Sequence, residues 1–337
     1  MPGKQSFRKS IASLAVIVVS AALVTRAEAQ IVRNANKYGA MFSWWYDSLP
    51  RQTIYLPTVP WNARQQRWWN STVRQASDAG VGWIAAACWG QGSTADPLML
   101  DPLLRAIDAN GGRLKVALFD DTTSEVLRKN EAKHGVWSLT PPFDLADLSG
   151  DGEGGLFYFY EQQWKRFFAT VPDRYLLKVN GRPVVFMWHG GFDWYTNTRS
   201  FGLVLERLRD ATKRDFGFEP FVIVEESWRR LDPAAMPDGL YDWFAPPEFA
   251  TITEFGGIHV AQVVPGYDCS RCDPPGPVID RENGNVFRSA LNSVAPQADL
   301  VLVEGFVNVD ENAHLVETTT WGRLYINLLK WFTAHIP

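Results

Sequence analysis

Eight short apolar runs punctuate the chain, at residues 39–44, 82–87, 115–119, 184–187, 221–224, 240–244, 259–264 and 300–303. Helix-length segments with apolar residues at helical spacing separate most of them, at 62–78, 98–110, 155–170, 201–214, 286–294 and 321–332. Strand-length runs that alternate with such segments give a parallel sheet, because parallel neighbours need a crossover that covers the sheet face. Eight units of this kind predict an α/β fold, a single (β/α)8 TIM barrel. The link 245–258 is too short for a good helix, so the unit between strands six and seven reads as degenerate. No repeat, linker or low-complexity tract divides residues 30–337, which are expected to form one domain.

The first 29 residues read differently. Lys4, Arg8 and Lys9 form a basic n-region, residues 11–24 are apolar but short for a span, and Ala27-Glu28-Ala29 fits a cleavage site. A bacterial-type signal peptide over 1–29 is expected, with a secreted or periplasmic mature chain that starts near Gln30 and has no membrane span. A net charge of −4 and no basic run beyond Lys213-Arg214 or Arg229-Arg230 argue against a nucleic-acid partner. In an exported chain, Cys269 and Cys272 read as a local disulfide, and Cys88, inside an apolar run, as a buried thiol.

No cofactor and no metal are expected. The five histidines lack ligand spacing, and neither a phosphate loop nor a G-x-S-x-G elbow occurs. The segment from Asp147 to Gly152 imitates the start of a calcium loop, but Tyr158 stands at the twelfth position where a bidentate Glu belongs, so a surface turn is the better reading.

The informative residues follow the apolar runs. Trp45, Trp89, Asp121, Trp188 with His189, Glu225, and Tyr267 with Asp268 stand just beyond successive strands, and Glu304, Asn308 and Glu311 follow the last. A barrel gathers its strand C-termini at one mouth, so these side chains are expected to share a cleft. Of Glu225 and Glu226 at most one can face it, since neighbours in a strand point to opposite sides. The 15 tryptophans exceed what a core needs and suggest exposed stacking platforms suited to sugar rings. Two carboxyl groups across a sugar are also the usual requirement for cleaving a glycosidic bond.

At these residues the chain resembles glycoside hydrolase family 99 and its relatives, the endo-α-mannosidase-like barrels related also to family 71. YGAMFSWWYDSLP with PWNA resembles the family's opening Tyr-Tyr-x-Trp-Tyr and Trp-Asn-His segments. LKVALFDD resembles its third strand, with Asp121 at the acidic position. YLLKVNGRPVVFMW, DGLYDWFA and VPGYD resemble its fourth, sixth and seventh strand regions. The family's last strand leads into Phe-Asn-Glu-Trp-His-Glu-Gly, where this chain has Phe306-Val307-Asn308-Val309-Asp310-Glu311-Asn312.

The resemblance implies a barrel that hydrolyses a polysaccharide or oligosaccharide, with Glu311 as proton donor. It also exposes a departure, because Asn308 occupies the place of the family's base and cannot take a proton at neutral pH. Glu304, four residues earlier, is the expected substitute as base or nucleophile, with Asp310 next. Asp121, Glu225, Asp268, His189, Tyr267 and Asn308 are expected to hold sugar hydroxyls, and Trp45, Trp89 and Trp188 to stack on sugar faces. The alternative is a carbohydrate-binding barrel that has lost catalysis with its base.

Overall fold

Side-chain alternation splits each buried run between two layers, and the layers set the architecture. The computed structural model describes residues 30–121, 123, 124, 126, 127, 135, 142–149, 156–188, 195–243 and 249–337. Its eight parallel barrel strands are β1 (Tyr38–Phe42), β2 (Trp83–Cys88), β3 (Lys115–Asp120), β4 (Arg182–Met187), β5 (Phe221–Glu225), β6 (Gly239–Tyr241), β7 (Ile258–Val263) and β8 (Leu300–Val303). They pair in parallel in the order β7-β8-β1-β2-β3-β4-β5-β6. The result is a (β/α)8 TIM barrel within the compact unit Ile31–Pro337.

The short link between strands six and seven holds a strand instead of a helix. Ala250–Phe255 pairs antiparallel with β7, and Thr251 Oγ1 donates to the Asp242 carbonyl at 2.5 Å just past β6. Gly256 and Gly257, both at positive φ, make the hairpin turn; a Cβ on Gly256 would come within 2.4 Å of the Asp238 carbonyl oxygen. The barrel is therefore nearly closed, with the hairpin filling the place of the missing crossover.

Helices Gln66–Asp78, Asp101–Ala109, Phe201–Phe216, Asn285–Val294 and Leu324–His335 form at their predicted places. The segment predicted as one helix over 155–170 is π-wound over Phe157–Trp164 and α-helical over Lys165–Thr170. Gln163 and Trp164, adjacent in the wide winding, both donate to Asp120, at 2.9 and 2.6 Å. The short helix Glu226–Leu231 has no counterpart in the sequence prediction.

Tyr38, Ala40 and Phe42 of β1 face the helical layer, while Met41 joins Trp83, Ala85, Ala117, Phe186, Ile223, Val260 and Leu302 inside the barrel. A taper this narrow alternates large with small. Trp83 stacks on Phe186 (5.5 Å between centroids, 9° between planes) and lies across Gly39, where a Cβ would sit 2.0 Å from the indole. Gly39→Ala is expected to cost about 1–3 kcal/mol or more by overpacking, read as a lower denaturant midpoint. Trp83→Leu in the same chain should recover part of that loss, a coupling expected of residues in contact. Wild-type stability of Gly39→Ala would contradict this packing.

Candidate active site

The inward register of the barrel continues past the strand ends and builds a cleft. Met41 is followed inward by Ser43 and Trp45, Ala87 by Trp89, Phe119 by Asp121, Phe186 by Trp188, Tyr241 by Trp243, and Leu302 by Glu304. Together with Tyr46, Ser124, Tyr267, Asn308, Asp310 and Glu311 these side chains line a cleft of about 350 Å³ at the C-terminal ends of the strands. That face is where barrels place their chemistry. A recess of about 390 Å³ between helices Asn285–Val294 and Leu324–His335 is lined by Arg288, two asparagines and apolar residues, with no carboxyl group.

One amide organises the acidic side of the cleft. Asn308 Nδ2 donates to Glu304 Oε1 at 2.9 Å and to Glu311 Oε2 at 2.6 Å, and Tyr267 OH donates to Glu311 Oε1 at 2.7 Å. Gly305 makes this possible. It turns the chain at φ +73°, and a Cβ there would stand 3.0 Å from Asn308 Cβ. Asn312, at φ +52°, pins the far end of the loop: its side chain accepts from Ile54 N–H at 2.6 Å and donates to the Asp268 carbonyl at 2.8 Å. Behind the loop, the buried Arg281 donates to the carbonyls of Asn312 and His314 at 2.6 and 2.9 Å and lies over the rings of Tyr55 and Tyr325.

The two glutamates differ in environment. Glu304 is fully enclosed, and its Oε2 has no hydrogen-bond partner among the described residues. Burial first, then the charge of Glu311, pushes its pKa up to about 8, against the Asn308 bond and the more distant Arg281. Burial also raises Glu311, but two donors into its carboxylate oppose the shift. Two further polar atoms of the cleft lining, Ser43 Oγ and Trp188 Nε1, are buried without a partner among the described residues.

On the β3 side, Asp121 accepts from Trp89 Nε1 at 2.7 Å and from Ser124 Oγ at 2.8 Å, and burial lifts its pKa to about 7. Trp45 stacks on Trp89 at 4.3 Å and packs against Tyr46 at 5.4 Å. Trp188 meets Trp243 edge-on at 6.0 Å. Asp310 accepts from Gln52 and Tyr46, and burial raises its pKa as well.

The cleft thus brings together Trp45, Trp89, Trp188, Asp121, Tyr267, Glu304, Asn308 and Glu311. Glu225 and Asp268 are not among the lining residues. Glu225 caps the helix Glu226–Leu231 by accepting from Ser227 N–H at 2.9 Å, and Asp268 accepts from Ser270 N–H at 3.0 Å in a rim turn. His189 lies outside the described residues. Beside that turn, Cys269 and Cys272 are bonded to each other, and Cys88 is free and buried. Asp147 sits in a turn, accepting from Ser149 N–H at 3.0 Å; residues 150–155 of the calcium-like segment lie outside the description. Among the described residues no His, Cys, Asp or Glu cluster could hold a metal ion, and no helix is long and apolar enough to cross a membrane.

Sequence reasoning did not place Ser43 or Trp243 in the cleft. The signal was available, since each stands two residues beyond an inward-facing barrel residue, Met41 and Tyr241, and side chains two apart share a face.

The chain belongs to the family described as Domain of unknown function (DUF5010), whose model matches residues 20–337. No curated protein matches the sequence. Among solved structures, the family 99 endo-α-mannosidase of Bacteroides thetaiotaomicron with bis-tris-propane aligns with a TM-score of 0.59 at 14% identity, over 89% of this chain and 97% of that one. A second structure of that mannosidase gives 0.56 at 13% identity, over 89% and 97%. A glycoside hydrolase-like protein gives 0.62 at 14% identity, over 88% and 93%. At such identities the likeness establishes a shared fold.

The Glu304 environment has a measurable consequence. The unfolded carboxyl ionises near 4.5 and the folded one near 8, so between these values the native state holds the extra proton. Stability therefore falls as pH rises through that window. Glu304→Gln removes the burden: its thermal midpoint should fall less steeply between pH 4.5 and 8 and exceed that of the wild type above pH 8. Parallel midpoint curves for the two proteins would contradict the enclosure of an ionisable group at this position.

Proposed function

We propose that this chain is an exported glycoside hydrolase that cleaves a polysaccharide or oligosaccharide with Glu304 and Glu311 as its catalytic pair. The observation that carries the reading is the bridge of Asn308 between these two carboxyl groups in an aromatic cleft. Aromatic walls offer flat faces to sugar rings, and the unpaired Ser43 Oγ and Trp188 Nε1 offer hydrogen bonds to hydroxyls. Export rests on the leader-like residues 1–29.

The local environments favour one division of labour. Among the described residues the Glu304 carboxyl group accepts a single hydrogen bond and leaves Oε2 unpaired, and its pKa is pushed up to about 8, as suits a carboxyl that keeps its proton at neutral pH and donates it to the glycosidic oxygen. Glu311 takes hydrogen bonds on both oxygens, as suits the ionised partner that attacks or assists attack at the sugar carbon. This reverses the roles implied by resemblance, in which Glu311 is the acid. Sharing one nitrogen, at 2.9 and 2.6 Å, holds the nearest oxygens of the pair closer than the roughly 6.5–9.5 Å of inverting enzymes, and so favours retention of configuration.

Kinetics of the two glutamine variants test the assignment. Glu304→Gln and Glu311→Gln should each lower turnover, Glu304→Gln by about 10²–10⁴-fold as for loss of a general acid. Only Glu304→Gln should regain rate on substrates whose leaving group departs without protonation, and only Glu311→Gln should be rescued by azide. Leaving-group rescue of Glu311→Gln instead would restore the roles implied by resemblance. A wild-type protein that binds a glycan tightly yet releases no reducing ends from it would be a binding barrel.

A further inference from the structure

The cleft is unusual in its charge. Its described lining includes four carboxyl groups, Asp121, Glu304, Asp310 and Glu311, and no lysine, arginine or histidine. None of the four forms an ion pair among the described residues. The buried Arg281 donates through Nη2 to the Asn312 and His314 carbonyls behind the loop and does not line the cleft. The carboxyl groups are held by neutral donors instead: Trp89 and Ser124 on Asp121, Gln52 and Tyr46 on Asp310, Tyr267 and Asn308 on Glu311.

Two independent features point to a ligand that supplies the missing positive charge. Ser43 is completely buried, lines the cleft, and leaves Oγ without a partner among the described residues. Next to Asp310, the rings of Tyr46, Trp45 and Trp89 form a continuous aromatic wall, with centroid separations of 5.4 and 4.3 Å. Aromatic faces combined with carboxylates recognise an ammonium group, through cation–π attraction and charge-assisted hydrogen bonds. An acetamide on the same sugar carbon forgoes both, and a uronate or sulfated sugar finds no lysine, arginine or histidine among the described lining residues to pair with.

Building on the reading of the cleft as a sugar site, we infer that it selects glycans bearing free, protonated amines, un-acetylated amino sugars, with Asp310 and the Tyr46–Trp45 wall receiving the ammonium group. Asp310 serves here as a specificity residue, separate from the Glu304–Glu311 pair.

Calorimetric binding at neutral pH and low salt tests this on the wild-type protein. The probes are oligosaccharides of glucosamine and of galactosamine, each with its N-acetylated counterpart, together with galacturonate oligomers; reducing-end release is measured on all of them. At least one free-amine oligomer should bind tenfold or more tightly than its acetylated form, weaken as salt is added, and lose that preference in Asp310→Asn. Galacturonate oligomers should not bind. Equal or tighter binding of the acetylated forms, or a preference that survives Asp310→Asn, overturns the inference. If acetylated probes are bound and cleaved just as well, the hydrolase reading stands while the amine selection falls. If the free-amine probes bind as expected and nothing is cleaved, the selection stands and the hydrolase reading falls.

Discussion

The site depends on one crowded arrangement: two carboxyl groups drawn out of water around a single amide. Asn308 donates one proton to each of Glu304 and Glu311, and among the described lining residues no lysine or arginine joins them. Two like charges this close in a dry site resist joint ionisation, so the pair is set to carry a proton at neutral pH. The surrounding structure maintains that condition. Gly305 lets the loop turn tightly enough to bring Asn308 onto Glu304, Asn312 ties the loop to residues 52, 54 and 268, and Arg281 fastens its carbonyls from behind. An aspartate or glutamate at 308 would add a third carboxyl group to the same enclosure. The amide at this position is therefore a working part of the acidic side of the cleft.

The barrel makes the arrangement reproducible. Because side chains two apart share a face, the inward series Leu300, Leu302, Glu304 delivers a carboxyl group to the barrel mouth as surely as it delivers leucines to the interior. Ala117, Phe119, Asp121 and Tyr241, Trp243 do the same on β3 and β6. Asp120, one step out of phase, points into the helical layer and is bound there by Gln163 and Trp164. A shift of one residue in the β3 register would turn Asp120 into the cleft and strip the helical layer of the bonds it makes to Gln163 and Trp164.

Much of this was legible in the sequence. All eight buried runs are strands of the barrel, and the run-on carboxyl groups after the third and eighth line the cleft at the strand ends. What escaped was governed by phase and by contacts distant in sequence. Glu225 has the inward phase but turns to cap the helix that starts at its own strand end, an option open to any acid followed by Ser at the second residue on. The hairpin partner Ala250–Phe255 was unreadable because its turn depends on Gly256 packing against the Asp238 carbonyl just before β6, a contact distant in sequence. The different environments of Glu304 and Glu311 arise from Tyr267, forty-four positions before Glu311, and no local pattern announces that bond.

The central claim is that the enclosed Glu304 holds a proton at neutral pH while Glu311 is ionised. Infrared difference spectra of the protonated-carboxyl stretch, taken for the wild type against each glutamine variant at neutral pH, address it without reference to any substrate. The account predicts that Glu304→Gln removes a protonated-carboxyl band and that Glu311→Gln leaves it in place. A band that vanishes in Glu311→Gln and persists in Glu304→Gln would contradict it.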